Sequence, residues 1–335
     1  MPAITVEDTL VLPRIPVPDP QTSRARPVAK LVGSVAAIEG GGIPIRRPFP
    51  GQLSMTDADP FLLLDHAGPT MNGPGEAKGA PWHPHRGFET VTYMLDGEVS
   101  HHDTTGGGGV IAEGDTQWMT AGGGIQHEEL PTERLYRLGG VFQAVQLWVN
   151  LPPESKMTTP RYQSITKESL RLLTTPDGGT LIRLIAGDLA GHTGPGVTHT
   201  PITYAHATIA PGARLAIPWA PAFSAMVFVL AGHGTVGPES RPIDDGELAV
   251  FGPGDVLMVT APDEHSGPLE VLVLGGLPIR APIEHYGPFV MNTRQEIIQA
   301  IEDYRAGRLG TVPADQLAPR AFGPTSTAQA DDPEL

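Results

Sequence analysis

Apolar segments in this chain are short, and glycine or proline interrupts almost every one of them. Typical examples are Leu181–Ala186, Ala225–Leu230 and Leu269–Leu274. The 335 residues include 41 glycines and 36 prolines, which argue against long helices because both residues are unfavourable in a helix interior. The pattern predicts an all-β fold of many short strands joined by tight turns.

The apolar segments fall into two successive sets. Gly114-Asp115 in the first set and Gly254-Asp255 in the second each lead into an apolar strand, which suggests a duplicated barrel. We therefore predict one barrel over residues 29–155 and a second over residues 156–310. Residues 1–28 form an extension and residues 311–335 a tail, and we expect both ends to be loosely held because they are polar and rich in proline.

One helix is predicted over residues 293–306, within the second barrel region. Thr293 and Glu296 have the spacing of a capping box, and Gly307 can end the helix. An apolar stripe at helical spacing should pack this helix on a barrel; it consists of Ile297, Ile298, Ile301 and Tyr304.

Two short motifs, His83-Pro84-His85 and His127-Glu128-Glu129, carry the strongest chemical signal. Residues at i and i+2 share one face of a β-strand, so three imidazoles and a carboxylate can converge from two neighbouring strands. The chain has no cysteine, which excludes a thiolate zinc site. Nitrogen and oxygen ligands suit Fe(II), Mn(II), Ni(II) or Cu(II), so the motifs predict a metal site in the first barrel.

Two glutamates compete to supply the carboxylate. Strand alternation puts Glu89 on the same inward face as His83 and His85, together with Val91, Tyr93 and Leu95. Glu129 is inward by the same argument applied to His127. The residues alone leave both candidates open.

The remaining histidines and their neighbours are weaker candidates. His101, His102 and Asp103 are expected at a strand end beside the mouth of the site, either contacting substrate or lying on the surface. Gln126 and Glu128, at outward parity, are interpreted as surface residues. The seven-residue recurrence of His192, His199 and His206 is interpreted as coincidence because the glycines and prolines between them forbid a helix. The second half has no His-x-His motif, and His233 and His265 stand alone, so we expect a metal-free second barrel.

Charge and local sequence restrict the partners. The 22 basic and 37 acidic side chains give a net charge of −15, which disfavours direct binding to nucleic acid or anionic lipid. The first ten residues carry Glu7 and Asp8 and lack the features of a signal peptide, and runs such as Ala225–Ala231 are too short to span a membrane. We expect a cytoplasmic protein whose partners are small molecules or other proteins.

Longer stretches resemble the pirin family, whose members contain two cupin barrels. The resemblance covers residues 29 to 310, with an additional stretch before Ala29 and a longer tail after Gly310 than in some pirins. The segments that carry it are residues 59–65, 83–91, 117–122, 124–129 and 287–293.

The resemblance implies a fold of two tandem cupin barrels, that is, double-stranded β-helices or jelly rolls, with a C-terminal helix. It implies Fe(II) bound by His83, His85, His127 and Glu129, with Mn, Ni, Cu or Zn possible in the same ligands. Glu89, which matches the general cupin motif, would then lie in a buried hydrogen-bonded network beside the site.

The implied activity is that of a quercetin 2,3-dioxygenase, which uses O₂ to open a flavonol ring and releases carbon monoxide. Glu129 would act in catalysis as a general base as well as a ligand. One alternative is a metal-bound regulator that binds a protein partner according to the oxidation state of the iron. Another is a cupin isomerase, or a nickel or manganese enzyme with the same ligands.

Overall fold

The computed structural model describes residues 4–263 and 267–314 and is mostly β-structure, as expected. His265 and nearly all of the tail lie outside the described residues. Within the described ranges, no helix has the length and apolar character needed to cross a bilayer.

In the described part of the chain, strands and turns alternate, and two α-helices are present. The N-terminal half contains β1 (Val28–Gly33), β2 (Val35–Glu39), β3 (Ile43–Phe49), β4 (Phe61–Asn72), β5 (Ala80–His85), β6 (Phe88–Asp96), β7 (Glu98–Asp103), β8 (Gly108–Ala112), β9 (Thr116–Thr120), β10 (Ile125–Pro131), α1 (Glu133–Leu138), β11 (Gly140–Asn150) and β12 (Arg161–Ile165). The C-terminal half contains β13 (Arg171–Thr174), β14 (Thr180–Ala186), β15 (Asp188–Leu189), β16 (His192–Thr193), β17 (Ile202–Ile209), β18 (Arg214–Pro218), β19 (Met226–Ala231), β20 (His233–Val236), β21 (Arg241–Asp244), β22 (Glu247–Phe251), β23 (Val256–Thr260), β24 (Leu269–Gly276), β25 (Glu284–Tyr286), β26 (Phe289–Met291) and α2 (Arg294–Arg305).

Two barrels of matching topology are formed by these strands. Each has a seven-stranded sheet, in the order β12-β9-β6-β11-β4-β3-β2 in the first barrel and β1-β22-β19-β24-β17-β14-β13 in the second. Each also has a four-stranded sheet, in the order β5-β10-β7-β8 or β18-β23-β20-β21. Strands β4 to β11 therefore correspond one by one to β17 to β24, which confirms the duplicated cupin architecture.

The dinucleotides that suggested the duplication are not equivalent positions. Gly114-Asp115 precedes β9, whereas Gly254-Asp255 precedes β23, the counterpart of β10. The counterpart of β9 is β22, which follows Gly246. Glycine with a positive φ recurs before many strands of this chain because tight turns require it, so a Gly-Asp pair carries little positional information.

The two seven-stranded sheets pack against each other, and a large hydrophobic cluster lies between them. This cluster joins Tyr93 and Trp118 of the first barrel to Tyr204, Phe228 and Leu272 of the second. A second core fills the interior of the C-terminal barrel with aliphatic side chains. Among the described residues, the apolar clusters inside the first barrel are small, which leaves space for a cavity.

The N-terminal extension packs on the second barrel, so the expectation of a loosely held segment was wrong for the described residues from 4 onwards. Ile15 is buried in the second core, and Arg26 is 2% exposed. The Arg26 guanidinium donates to the carbonyls of Gly254 (3.0 Å) and Ala220 (2.9 Å). The extension therefore docks through a side chain of its own, which supplies hydrogen-bond donors to loop carbonyls of the second barrel. The following strand, β1, pairs with β22 of the second barrel.

The C-terminal helix α2 begins one residue after its predicted cap, and both hydrogen bonds of the capping box are present. Its packing face differs from the predicted stripe. Ile297 and Ala300 are buried, whereas Ile298 and Tyr304 are 40% and 39% exposed. The buried face of α2 is narrower than a four-residue stripe implies. The reason is that α2 packs on β26, a short strand of a hairpin, rather than on a whole sheet.

Candidate metal centre and cavity

Three histidines from β5 and β10 meet inside the first barrel, as the i, i+2 spacing predicts. His83 lies directly opposite His127 in the antiparallel pair, and His85 is two residues along on the same face. One ligand nitrogen from each of the three lies within 4.8 Å of the others. The ring centroids are 4.3 Å apart for His83 and His127 and 4.9 Å apart for His85 and His127.

The histidine nitrogens are suited to bind a cation. Burial, followed by the neighbouring imidazoles, lowers the pKa of His85 and of His127 well below the usual value, so both rings are neutral. Neither nitrogen of His85, nor Nε2 of His127, has a hydrogen-bond partner among the described residues. His83 Nδ1 donates to the Pro81 carbonyl at 2.7 Å, which leaves its Nε2 lone pair free to coordinate.

Glu129 lies beside the three histidines but is not one of the tightly clustered groups. It lines the same cavity as His83 and His85. Thr92 Oγ1 donates to Oε1 at 2.8 Å, and Gln146 Nε2 donates to Oε2 at 2.9 Å. These two bonds orient the carboxylate at the edge of the site.

Glu89 lies on the other face of the sheet, so the expectation that it shares the inward face was wrong. The alternation restarts at Gly87, whose φ of +89° turns the chain from β5 in the small sheet to β6 in the large one. On β6 the inward face carries Thr92, which lines the cavity, whereas Tyr93 packs in the inter-barrel core. Glu89 is fully buried and accepts from Thr120 Oγ1 at 2.6 Å. Burial raises its pKa to about 7.

His101 is buried against the metal centre, which corrects the expectation that it contacts substrate or lies at the surface. Its strand, β7, pairs with β10, which places His101 Nε2 3.1 Å from His127 Nδ1. If His127 Nε2 coordinates a metal, Nδ1 carries the proton and donates to His101. His101 also stacks on Tyr162, with ring centroids 5.5 Å apart. Side-chain alternation along β7 predicts that His101 faces the site only when the pairing of β7 with β10 is already known.

The neighbours of His101 and His127 also differ from expectation. Asp103 is buried and closes the turn after β7 by accepting from the Thr105 hydroxyl and backbone. Glu128, expected on the surface, is 4% exposed and lies 3.4 Å from His102 Nδ1. It is buried because β10 is a central strand of the four-stranded sheet, between β5 and β7.

The three histidines that recur every seven residues lie apart from this centre. His192, His199 and His206 lie in a short strand, a bend and the inter-barrel face of β17, as expected for residues that share no helix. His206 accepts from the Tyr93 hydroxyl at 3.0 Å and donates to Glu270 at 2.9 Å. In the second barrel, the strands that correspond to β5 and β10 point buried aliphatic side chains inward, including Ile217 and Leu257, which provide no ligand atoms.

A cavity of about 680 Å³ opens beside the histidines. Its apolar walls include Trp82, Trp148, Phe142, Ile45 and Leu63. Its polar groups include Glu129, Thr92 and Gln146 near the histidines and, further along, Glu39, Arg47 and Asp65. The sequence pattern identified the histidines and Glu129 but did not point to the remaining polar groups of the cavity.

The C-terminal segment braces the parts of the chain that carry the two histidine motifs. Arg86, which follows His85, donates to Asp303 of α2 at 2.8 Å and to the Gly123 carbonyl at 2.8 Å. Gln126, which precedes His127, donates to the Gly310 carbonyl at 2.8 Å. Residues more than 170 positions away therefore hold both histidine motifs in place.

Comparison with known proteins identifies the family. The sequence model of the pirin family matches residues 42–149, and that of the pirin C-terminal cupin domain matches residues 204–310. The chain belongs to the pirin family.

Relatives of this pirin include proteins named for quercetin 2,3-dioxygenase. A Pseudomonas aeruginosa protein provisionally given that name is 43% identical over 270 residues, covering 80% of this chain and 93% of that protein. Human pirin is 37% identical over 275 residues, covering 81% of this chain and 90% of the human protein. The crystal structure of a quercetin 2,3-dioxygenase from Acinetobacter baumannii matches with a TM-score of 0.80 and 35% identity, covering 87% of this chain and 100% of that one.

Proposed function

We propose that this protein is an iron-dependent dioxygenase of the quercetin 2,3-dioxygenase type. The observation that carries the proposal is the group of three imidazoles at one end of a largely apolar cavity, with an oriented carboxylate beside them. The names of the Pseudomonas and Acinetobacter relatives support the same reaction.

The residues present fit a metal ion. Buried imidazole nitrogens without hydrogen-bond partners among the described residues are costly unless a cation or a solvent molecule uses them. We assign His83, His85, His127 and Glu129 as the ligands, a set of nitrogen and oxygen donors that suits Fe(II) and also accepts Mn, Ni, Cu or Zn. When bound, iron supplies Lewis acidity toward a chelating enol and the redox chemistry that O₂ requires.

The protein itself contributes proton transfer, orientation and exclusion of water. We assign Glu129 as the general base that accepts the proton of the flavonol 3-hydroxyl. Thr92 and Gln146 hold its carboxylate, and the Trp148 indole N–H in turn donates to Gln146 Oε1 at 3.1 Å. The aromatic and aliphatic walls favour a planar aromatic substrate and keep bulk water from the reacting carbons.

The test is oxygen uptake and carbon monoxide release by iron-loaded protein with a flavonol. We expect both for the wild-type protein, and a loss of at least about 100-fold in kcat for Glu129→Gln. His127→Ala should lose stoichiometric metal. His192→Ala, which changes a histidine away from the cavity, is the matched control and should behave as wild type. If iron-loaded protein consumes no oxygen with any flavonol, the proposal fails.

Metal analysis of protein purified without added metal identifies the physiological ion, which we propose is iron.

We also propose a cytoplasmic location, with flavonol and O₂ as the small-molecule partners. The part of the chain that the structure describes contains no feature that favours the regulatory alternative, so the dioxygenase is the function that we propose.

A further inference from the structure

The cavity has a second polar region, away from the histidines. Asp65 and Arg47 form a bidentate ion pair there, with Arg47 Nε and Nη2 each 2.6 Å from a carboxylate oxygen of Asp65. Arg47 Nη2 also donates to Glu39 at 2.6 Å. Only 9% of the Asp65 side chain and 19% of the Arg47 side chain are exposed. We call Arg47 and Asp65 the distal pair.

Strand register connects the distal pair to the metal end of the cavity. Gln146 on β11 lies directly opposite both Asp65 on β4 and Thr92 on β6. Gln146 and Thr92 are the two residues that hold Glu129. Because neighbouring strands are about 4.8 Å apart, the distal pair begins one to two strand spacings, or roughly 5–10 Å, from the Gln146 position. This is the reach of one substituted aromatic ring.

The charges of the distal pair select the kind of group that it can bind. One positive charge on Arg47 faces two negative charges, on Asp65 and Glu39, and the exposed Lys78 at the rim brings the sum to zero. A site with this balance has no excess positive charge to attract a carboxylate or phosphate. It offers carboxylate oxygens that accept from a hydroxyl, together with the Nη1 group of Arg47, which makes no hydrogen bond to a described residue.

The environment of the pair argues against a purely structural role. Burying an ion pair gains little stability over apolar side chains of similar size, because desolvation offsets the attraction between the charges. The distal pair nevertheless lies in the wall of a cavity whose neighbouring positions, Ile45, Leu63 and Ala67, are apolar.

We propose that the distal pair recognises a phenolic hydroxyl group on the part of the substrate that lies away from the metal. This inference rests on the proposed function and narrows its substrate class to neutral flavonols that carry ring hydroxyls in addition to the chelating 3-hydroxyl. Asp65 accepts from the phenolic O–H, and Arg47 donates to the phenolic oxygen.

The experiment compares two flavonols under anaerobic conditions, with binding followed by the change in flavonol absorbance. Quercetin carries additional ring hydroxyls, whereas 3-hydroxyflavone has the same chelating group and none of them. A hydrogen bond to a charged group in a buried site corresponds to about 10- to 100-fold in affinity. We expect wild-type protein to bind quercetin tighter by about that factor, and Asp65→Asn to reduce the ratio to within about threefold.

Asp245→Asn is the matched control. Arg46 is next to Arg47 in β3 and lies on the opposite face of that strand. Its Nη1 donates to Asp245 Oδ2 at 2.6 Å. This variant should keep the wild-type ratio. Binding of 3-hydroxyflavone by Asp65→Asn at wild-type affinity shows that the variant is folded and that its metal end is intact.

Three outcomes overturn the inference, and they differ in what they say about the proposed function. If wild-type protein binds both flavonols equally but consumes oxygen with them, the inference fails and the dioxygenase proposal stands. If Asp65→Asn weakens the binding of both flavonols to the same extent, the distal pair maintains the shape of the cavity and does not recognise a hydroxyl group. If wild-type protein binds neither flavonol and consumes no oxygen, both the inference and the proposed function fail.

Discussion

Replacing Glu89 with glutamine tests which glutamate belongs to the metal centre and which is a buried structural acid. Glu89 is fully buried, and burial raises its pKa from an ordinary value of 4.5 to about 7. A raised pKa in the folded state means that the folded protein binds more protons than the unfolded chain between these two pH values. The stability from the protonated acid is therefore fully present below pH 4.5 and is lost as the pH rises through 7.

The size of the effect follows from the pKa difference. At 1.36 kcal/mol per pH unit, a change from 4.5 to about 7 corresponds to about 3 kcal/mol, of which roughly 2–3 kcal/mol falls between pH 5 and pH 8. Glutamine has the shape of the protonated acid and can still accept from Thr120 Oγ1. Glu89→Gln should therefore be as stable as wild type near pH 5 and more stable by about 2–3 kcal/mol at pH 8.

Urea unfolding of metal-free protein at pH 5 and pH 8 measures this difference. The exposed carboxylate Glu133 provides the control, because Glu133→Gln should leave the pH dependence of the wild type unchanged. Metal content is the second readout, and Glu89→Gln should bind metal as wild type does, since Glu89 is on the sheet face opposite the cavity. Parallel stability profiles for wild type and Glu89→Gln would refute the burial argument, and loss of metal would refute the assignment of Glu129.

Two further variants test contacts that the sequence did not reveal. His101→Phe removes the acceptor of the His127 Nδ1 proton, so metal affinity, measured by competition with a chelator, should fall about 10- to 100-fold. His102→Phe, one residue along, should keep wild-type affinity, and equal affinity in both variants would exclude a positioning role for His101. Tyr93→Phe removes a buried hydrogen bond between the barrels and leaves His206 Nδ1 without its donor. The free energy of unfolding in urea should fall by about 1–3 kcal/mol, and an unchanged value would show that this bond contributes nothing net.

The parts of the fold that depend on near neighbours were predictable. The short strands between tight turns, the cap of α2 and the shared face of His83 and His85 all follow from residues within about four positions of one another. Local backbone geometry and side-chain alternation act over that distance, so the residues that determine these features are neighbours in the sequence.

The identity of the carboxylate beside the histidines was not predictable from alternation. Counting residues from His85 to Glu89 assumes one continuous strand, but Gly87 turns the chain into a different sheet. A single residue of positive φ is sufficient to reverse which side chains face inward, and many glycines in this sequence could have had that effect. The family resemblance pointed to Glu129 because it reflects the folded arrangement of the family, which includes the effect of this turn.

The sequence by itself determined that the chain forms two barrels of short strands and that one of them carries three histidines able to share a metal. Those properties reside in residue type and in spacings of a few positions. Tertiary structure alone decided that His101 lies behind His127, that Arg47 and Asp65 face the same cavity, and that residues 303 and 310 brace the two histidine motifs. Such contacts join strands and loops far apart in the chain, and their partners are set by sheet order and register, which depend on the packing of the whole molecule.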